Sequence, residues 1–312
     1  MRAVSLLALC AMGAALWCSC DDRPAAVAAP KSPPLPATLV EDAAEFSGDN
    51  AYVHCAALCE LGPRSTGSPA YMKQVAYLAE HLNRAGWQAK AQPFSPLPEL
   101  QMLNVHASYG EKEGARPLIV TCHIDTKGQG EEAILGADDG ASGAAVILEL
   151  ARMLARHPQL AEQVELVFFD GEESFGKHIT SQDGLFGSRF DVVRRGNDLP
   201  RYMINLDMVG GAGKTIGVPF ADTSLPMYEQ YERAIRTLGL SEERWTLYPG
   251  SYLDDHCPFL EAGVDALNLI AMFQGSNWWH TKRDDMSRIS PRSLEETGRV
   301  VLQLIRQLLA AE

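Results

Sequence analysis

Four short, largely apolar runs, at residues 118–122, 164–169, 202–206 and 264–271, alternate along the chain with segments of helical periodicity. Runs of five to eight such residues suit strands covered on both faces, and strands of that kind pair in parallel through crossover helices. The helical segments are 50–61, 69–86, 141–155, 225–238 and 290–309. In the second of these, Pro69 stands at the start and Gly86 at the end, with Met72, Val75, Ala76, Ala79 and Leu82 on one face. Residues 89–94 and 103–109 read as two further strands. The alternation predicts an α/β fold, a mostly parallel sheet with helices on both faces, whose ligands bind beyond the carboxyl ends of the strands.

Acids and imidazoles collect at those ends. The run at 118–122 leads into His123-Ile124-Asp125, 164–169 into Asp170-Gly171-Glu172-Glu173, and 202–206 into Asp207. Asp138-Asp139 precede the 141–155 helix, and Trp278-Trp279-His280 stand near the C-terminus. Taken singly, an Asp before a helix is an N-cap and a Glu pair after a strand a solvated turn. Taken together at one sheet edge, carboxylates this crowded repel one another and call for a cation. His nitrogen with Asp and Glu oxygen, and no sulfur, suits a catalytic zinc with an open position.

The strings GADDGASGAAVILELARML and FFDGEE resemble the co-catalytic zinc aminopeptidases of the peptidase family M28 type. Within that superfamily the sequence is similar to the animal-type glutaminyl cyclases. The similarity is carried by GPRSTGS at 62–68, CHIDTKG at 122–128, FFDGEESFGKHITSQDGLFGSR at 168–189, DDHCPFL at 254–260 and NWWHTKRDD at 277–285. The resemblance implies a three-layer α/β/α sandwich around a mixed sheet. It implies Asp139, Glu173 and His280 as zinc ligands, Glu172 as proton shuttle, Asp207 and Asp254 as a supporting acidic network, and Trp279 as a wall of the substrate pocket. The substrate is then a peptide or protein N-terminus, and an N-terminal Gln becomes pyroglutamate with release of ammonia.

Two alternatives stay open at this point. His123 and Asp207 match positions that hold a second zinc in the aminopeptidases, with Asp139 bridging, so the residues allow one ion or two. Some relatives of this fold have lost their ligands and serve as binding modules, whereas here every matched position is filled. Against the cyclase pattern, Leu253 stands where Gln is usual, His178 replaces a pocket Trp, and Ala144 replaces the disulfide partner of Cys122. His54, His81, His106 and His157 fall outside the motifs and read as surface or helix-face residues. His256 reads either as a partner behind the metal ligands or as a buried structural residue, and Cys257 as a small buried one.

Residues 1–19 have a short basic start and an apolar stretch at 3–17, too short to span a bilayer comfortably, which ends in Cys18-Ser19-Cys20. They resemble a bacterial lipoprotein signal with Cys20 as the lipidated residue. Residues 20–41, rich in Pro and Ala, form a tether, and 42–312 one catalytic domain. An exported, membrane-tethered protein is expected. With 27 Lys and Arg against 40 Asp and Glu, the net charge of −13 leaves no cationic surplus for a nucleic-acid backbone. The later cysteines Cys55, Cys59, Cys122 and Cys257 form neither a disulfide framework nor a C-x-x-C zinc motif.

Overall fold

A computed structural model of the protein describes residues 45–111, 114–180, 182–273 and 276–310. The leader, the lipidation site at Cys20 and the tether lie outside the described residues. The elements are α1 (Gly48–Glu60), α2 (Pro69–Arg84), β1 (Trp87–Leu97), β2 (Leu100–Tyr109), β3 (Leu118–His123), α3 (Gly143–Ala155), α4 (Pro158–Ala161), β4 (Val164–Phe169), α5 (Phe186–Arg195), β5 (Tyr202–Asp207), β6 (Ile216–Pro219), α6 (Leu225–Leu238), β7 (Trp245–Tyr248), α7 (His256–Glu261), β8 (Asp265–Ala271) and α8 (Pro291–Ala310). The strands form one sheet in the order β1-β2-β4-β3-β5-β8-β6-β7. Its centre, β4-β3-β5-β8, is parallel, while β1-β2, β2-β4 and β6-β8 pair antiparallel. The fold is therefore α/β with a mixed, mostly parallel sheet, as the alternating pattern predicts.

Side-chain alternation along β3 shows why its run is apolar throughout. Leu118, Val120 and Cys122 enter the larger core formed with α1, α2, α3, α6 and α8. Ile119 faces the other way, into a smaller core with Val167, Phe169, Met203 and Phe259, which α5 and α7 help to cover. Both faces are shut from water, so no polar alternation survives in the sequence. On the antiparallel side, β1 extends beyond the expected 89–94 at both ends and includes Pro93 and Pro96. An edge strand tolerates a residue without an N–H to donate.

The start of α3 positions the site. Arg64, fully buried, donates from Nη1 to the Leu135 carbonyl and from Nη2 to that of Gly136, both at 2.8 Å. The next six residues, Ala137–Ser142, form a wide helical turn in which Asp139 (φ −84°, ψ 86°) and Gly140 (φ 109°, ψ −48°) leave helical geometry. Asp139 therefore does not cap a helix: its carboxylate is thrown outward by a turn that glycine at 140 makes accessible. At Gly143, α3 lies so close to the sheet that an added Cβ would stand 2.8 Å from both Cys122 Cβ and the Leu206 carbonyl oxygen. Gly143→Ala is expected to lower unfolding free energy by roughly 1–3 kcal/mol in chemical denaturation, since that crowding is with sheet atoms. An unchanged denaturation midpoint would contradict the packing.

Candidate metal centre

The parallel strands β3 and β5 deliver His123 and Asp207 at their last residues, and the segment after β4 delivers Glu172 and Glu173. The Ala137–Ser142 turn adds Asp139, and the loop before α8 adds His280. These residues meet as two groups sharing one carboxylate, His123–Asp139–Asp207 and Asp139–Glu173–His280. His123 Nε2 lies 3.3 Å from Asp139 Oδ1 and 3.2 Å from Asp207 Oδ1. His280 Nε2 lies 3.6 Å from Asp139 Oδ2 and 3.2 Å from Glu173 Oε1. Zinc bonds of about 2.0–2.2 Å at tetrahedral angles separate ligand atoms by about 3.3–3.5 Å, so the donor spacing fits a zinc-sized ion.

The two groups differ in how their own atoms satisfy one another. In the first, Asp207 Oδ1 is hydrogen-bonded to the His123 ring. In the second, Asp139 Oδ2 and Glu173 Oε1 are buried and have no hydrogen-bond partner among the described residues. His280 Nε2 is near both, at 3.6 Å from the former and 3.2 Å from the latter. A buried carboxylate oxygen left unpaired is costly, and both orphaned oxygens face His280. That is the arrangement expected of oxygens that ligate a cation.

Backbone N–H groups aim these side chains. Asp125 accepts from the N–H of Glu172 and of Glu173, each at 3.1 Å, fixing the turn that separates the two glutamates. Asp284 accepts from the N–H of Asp138 at 2.8 Å and of Asp139 at 3.1 Å. His280 adopts φ 53°, a left-handed conformation costing a non-glycine residue roughly 1–2 kcal/mol. The turn is held by the N–H and hydroxyl of Thr281, which both donate to the Trp278 carbonyl, at 3.0 and 2.7 Å. None of these three supports is anticipated from the sequence. Asp125 and Asp284 do sit inside the strings that carry the ligands, and that proximity is the available signal.

Burial raises the Glu172 carboxyl well above the usual range; Glu173, Asp254 and Asp255 add to the effect, and His123 opposes it. Asp207 is raised likewise by burial and by the Asp254 charge. Burial by itself would lower the His123 pKa, but hydrogen bonding to Asp125, Asp139 and Asp207 reverses the sign and raises it well above the ordinary value. Both ring nitrogens face oxygen acceptors, Nδ1 the Asp125 carbonyl and Nε2 Asp207 Oδ1, each at 3.2 Å, an arrangement that favours the protonated ring. The Glu172 carboxylate accepts no hydrogen bond from the described residues, and it lines the cleft beside the second group.

That cleft has a volume of about 220 Å³. Asp139, Glu172, Glu173, Asp207 and Asp254 line its buried part together with Met208, Ile270 and Tyr252, and the half-buried Phe273 and Trp279 complete the wall. Trp279 stacks on His280 at 3.9 Å between ring centroids and lies 4.4 Å from Phe273. Its neighbour Trp278 belongs to the core, 2% exposed, with Lys214 Nζ over its ring. Asp254 directs its hydrogen bonds to the sheet: Asn205 Nδ2 and Asn268 Nδ2 donate to its two oxygens at 3.1 and 2.6 Å. Leu253 and His178 also line the cleft.

Outside the cleft, His54 is buried rather than superficial, because α1 turns it toward α2, where its ring bonds the Tyr77 hydroxyl at 2.8 Å. His157 is exposed. His106 pairs with Glu165 at 2.8 Å. His256 is fully buried next to Cys257, whose thiol donates to the Tyr252 carbonyl. The four cysteines among the described residues are free. Removing the two acceptors behind the Asp139 turn by Asp284→Ala is expected to weaken zinc binding roughly 10- to 100-fold, measured by competitive titration of metal-stripped protein. Wild-type affinity in that variant would contradict the positioning role.

A profile of peptidase family M28 matches residues 104–305. A mouse protein named glutaminyl-peptide cyclotransferase-like protein is 30% identical over 280 residues, spanning 79% of this chain and 72% of that one. Among solved structures, a glutaminyl cyclase of Porphyromonas gingivalis is 26% identical and superposes with a TM-score of 0.74, covering 84% of this chain and 99% of that one. A Zn-dependent exopeptidase of Parabacteroides distasonis is 25% identical, also with a TM-score of 0.74, over 84% of this chain and 98% of that one. The protein belongs to the glutaminyl-peptide cyclotransferase family, within peptidase family M28.

Proposed function

We propose that the protein is a glutaminyl-peptide cyclotransferase that holds one zinc ion between Asp139, Glu173 and His280. The observation that carries this reading is the contrast between the two groups sharing Asp139. One leaves two buried carboxylate oxygens without a partner, and in the other the His123 ring fills the space between Asp139 and Asp207 and bonds the latter.

A zinc ion at Asp139, Glu173 and His280 would supply Lewis-acid polarisation of a substrate carbonyl oxygen. The protein's own groups do the rest. The apolar walls, Ile270, Phe273 and Trp279, enclose a glutamine side chain and hold its γ-amide folded toward its own α-amine, replacing a search through rotamers with one geometry. Glu172 accepts a proton from the α-amine as the nitrogen attacks the amide carbon. It returns that proton to the nitrogen that leaves when the γ-amide bond breaks. The products are pyroglutamyl peptide and ammonia. A carboxyl whose burial raises its proton affinity suits both halves of this transfer. Asp207 and Asp254 add negative charge beside the amine, with Asp254 held in place by the two asparagines.

A second reading is a two-zinc aminopeptidase, favoured by the spacing of His123, Asp139 and Asp207, which also fits an ion. In that case His123 loses its proton and Glu172 activates water against the first peptide bond. Incubation with a Gln-initiated peptide separates the two: ammonia loss with every peptide bond intact is expected by mass spectrometry, and release of the first residue would overturn the cyclase reading. Glu172→Gln is expected to reduce turnover by roughly 10²- to 10⁴-fold while zinc remains bound. Near-normal turnover would remove Glu172 from its role.

A further inference from the structure

The mouth of the cleft has a charge pattern opposite to its depth. The five acids that line it, Asp139, Glu172, Glu173, Asp207 and Asp254, are all buried. The exposed charged and polar residues of the lining are Lys177 and His178, and neither has a side-chain partner among the described residues. In a protein of net charge −13, an unpaired lysine beside the substrate site calls for an explanation. The loop that carries it is built to hold its position. Asp183 accepts from the N–H of Phe175 and of Gly176, both at 2.8 Å. Ser174 Oγ donates to the Gly176 carbonyl at 3.1 Å, and Lys127 Nζ donates to the Ser174 carbonyl and hydroxyl at 2.5 and 2.7 Å. Lys127 is thus occupied in fastening the loop, and Lys177 is left outward on a pinned rim.

From this we infer that Lys177, assisted by His178, selects peptides with a carboxylate at the second or third residue. The inference rests on the reading that the cleft takes a peptide N-terminus. With the first residue seated among the buried acids, the rest of the peptide must leave past the exposed rim, where its next side groups come within reach of the ammonium. The buried acids act in the opposite direction and would favour a basic second residue. They are, however, compensated locally by Lys127, 3.4 Å from Glu173, and in that reading by the zinc ion and the substrate amine. The nearest uncompensated charge therefore decides, and an exposed pair of this kind is worth roughly three- to fivefold.

The test compares Gln-Glu-Ala, Gln-Gln-Ala and Gln-Lys-Ala peptides of equal length, with the zinc-loaded enzyme and its Lys177→Glu variant, at low and high salt. The expected order of kcat/KM is Glu over Gln over Lys at the second residue, with the spread shrinking as salt rises. In Lys177→Glu the order inverts, with little change on the neutral peptide. Equal rates for the three peptides, or a Lys preference indifferent to Lys177→Glu, would overturn the inference. If peptide-bond cleavage replaces ammonia release, the cyclase reading fails, but the same order is read from the cleavage rates. If neither reaction runs, fluorescence anisotropy with C-terminally labelled peptides reads the order as affinities.

Discussion

The Asp139 carboxylate, set between two imidazoles, is the contact on which the site depends. Its Oδ1 meets His123 and its Oδ2 faces His280. A carboxylate can serve both directions only from a backbone bent away from helical geometry, and the Ala137–Ser142 turn supplies that bend just before α3 begins. Arg64 holds the carbonyls entering the turn, Asp284 the N–H groups within it, and Gly143 the contact of the following helix with β3 and β5. Each support is buried, so the carboxylate cannot relax into solvent when its charge is uncompensated.

Burying this many acids together is unfavourable unless positive charge is close. Three kinds of compensation are visible. The His123 ring lies against Asp139 and Asp207, Lys127 lies 3.4 Å from Glu173, and backbone and amide N–H groups point at Asp125, Asp254 and Asp284. What they leave over is confined to Asp139 Oδ2 and Glu173 Oε1 within the ligand groups. Within the ligand groups the uncompensated charge therefore gathers on the side of His280. The aromatic wall adjoining that side, Trp279 against His280 and Phe273, shapes the space for a substrate side group.

Much of this is legible in the sequence, for identifiable reasons. A strand buried on both faces leaves an apolar run, so β3, β4, β5 and β8 are visible, and the strand-end rule then gathers His123, Glu172, Glu173 and Asp207. The short strands β6 and β7 are not visible. Ile216–Pro219 contains both Gly217 and Pro219, and Trp245–Tyr248 has no sustained alternation. Helix α5 escapes because its buried residues are Gly187, Ser188, Asp191 and Arg195, the last two paired with each other, so burial leaves no apolar stripe. The departure of Asp139 from helical geometry has only Gly140 as a local signature, because the Arg64 and Asp284 side groups that hold it come from far away in the sequence, Asp284 from 145 residues beyond Asp139. Long-range hydrogen bonds of that kind are read only from the folded protein.

The proposed cyclase chemistry turns on a single cation at the Asp139–Glu173–His280 group, with His123 keeping its proton. Anomalous diffraction at the zinc edge, on crystals of the zinc-loaded protein, tests this directly. The predicted result is one peak, within bonding distance of Asp139, Glu173 and His280, and none between His123 and Asp207. A second peak of comparable occupancy bound by His123 and Asp207 would contradict it and make the two-metal peptidase chemistry the better description.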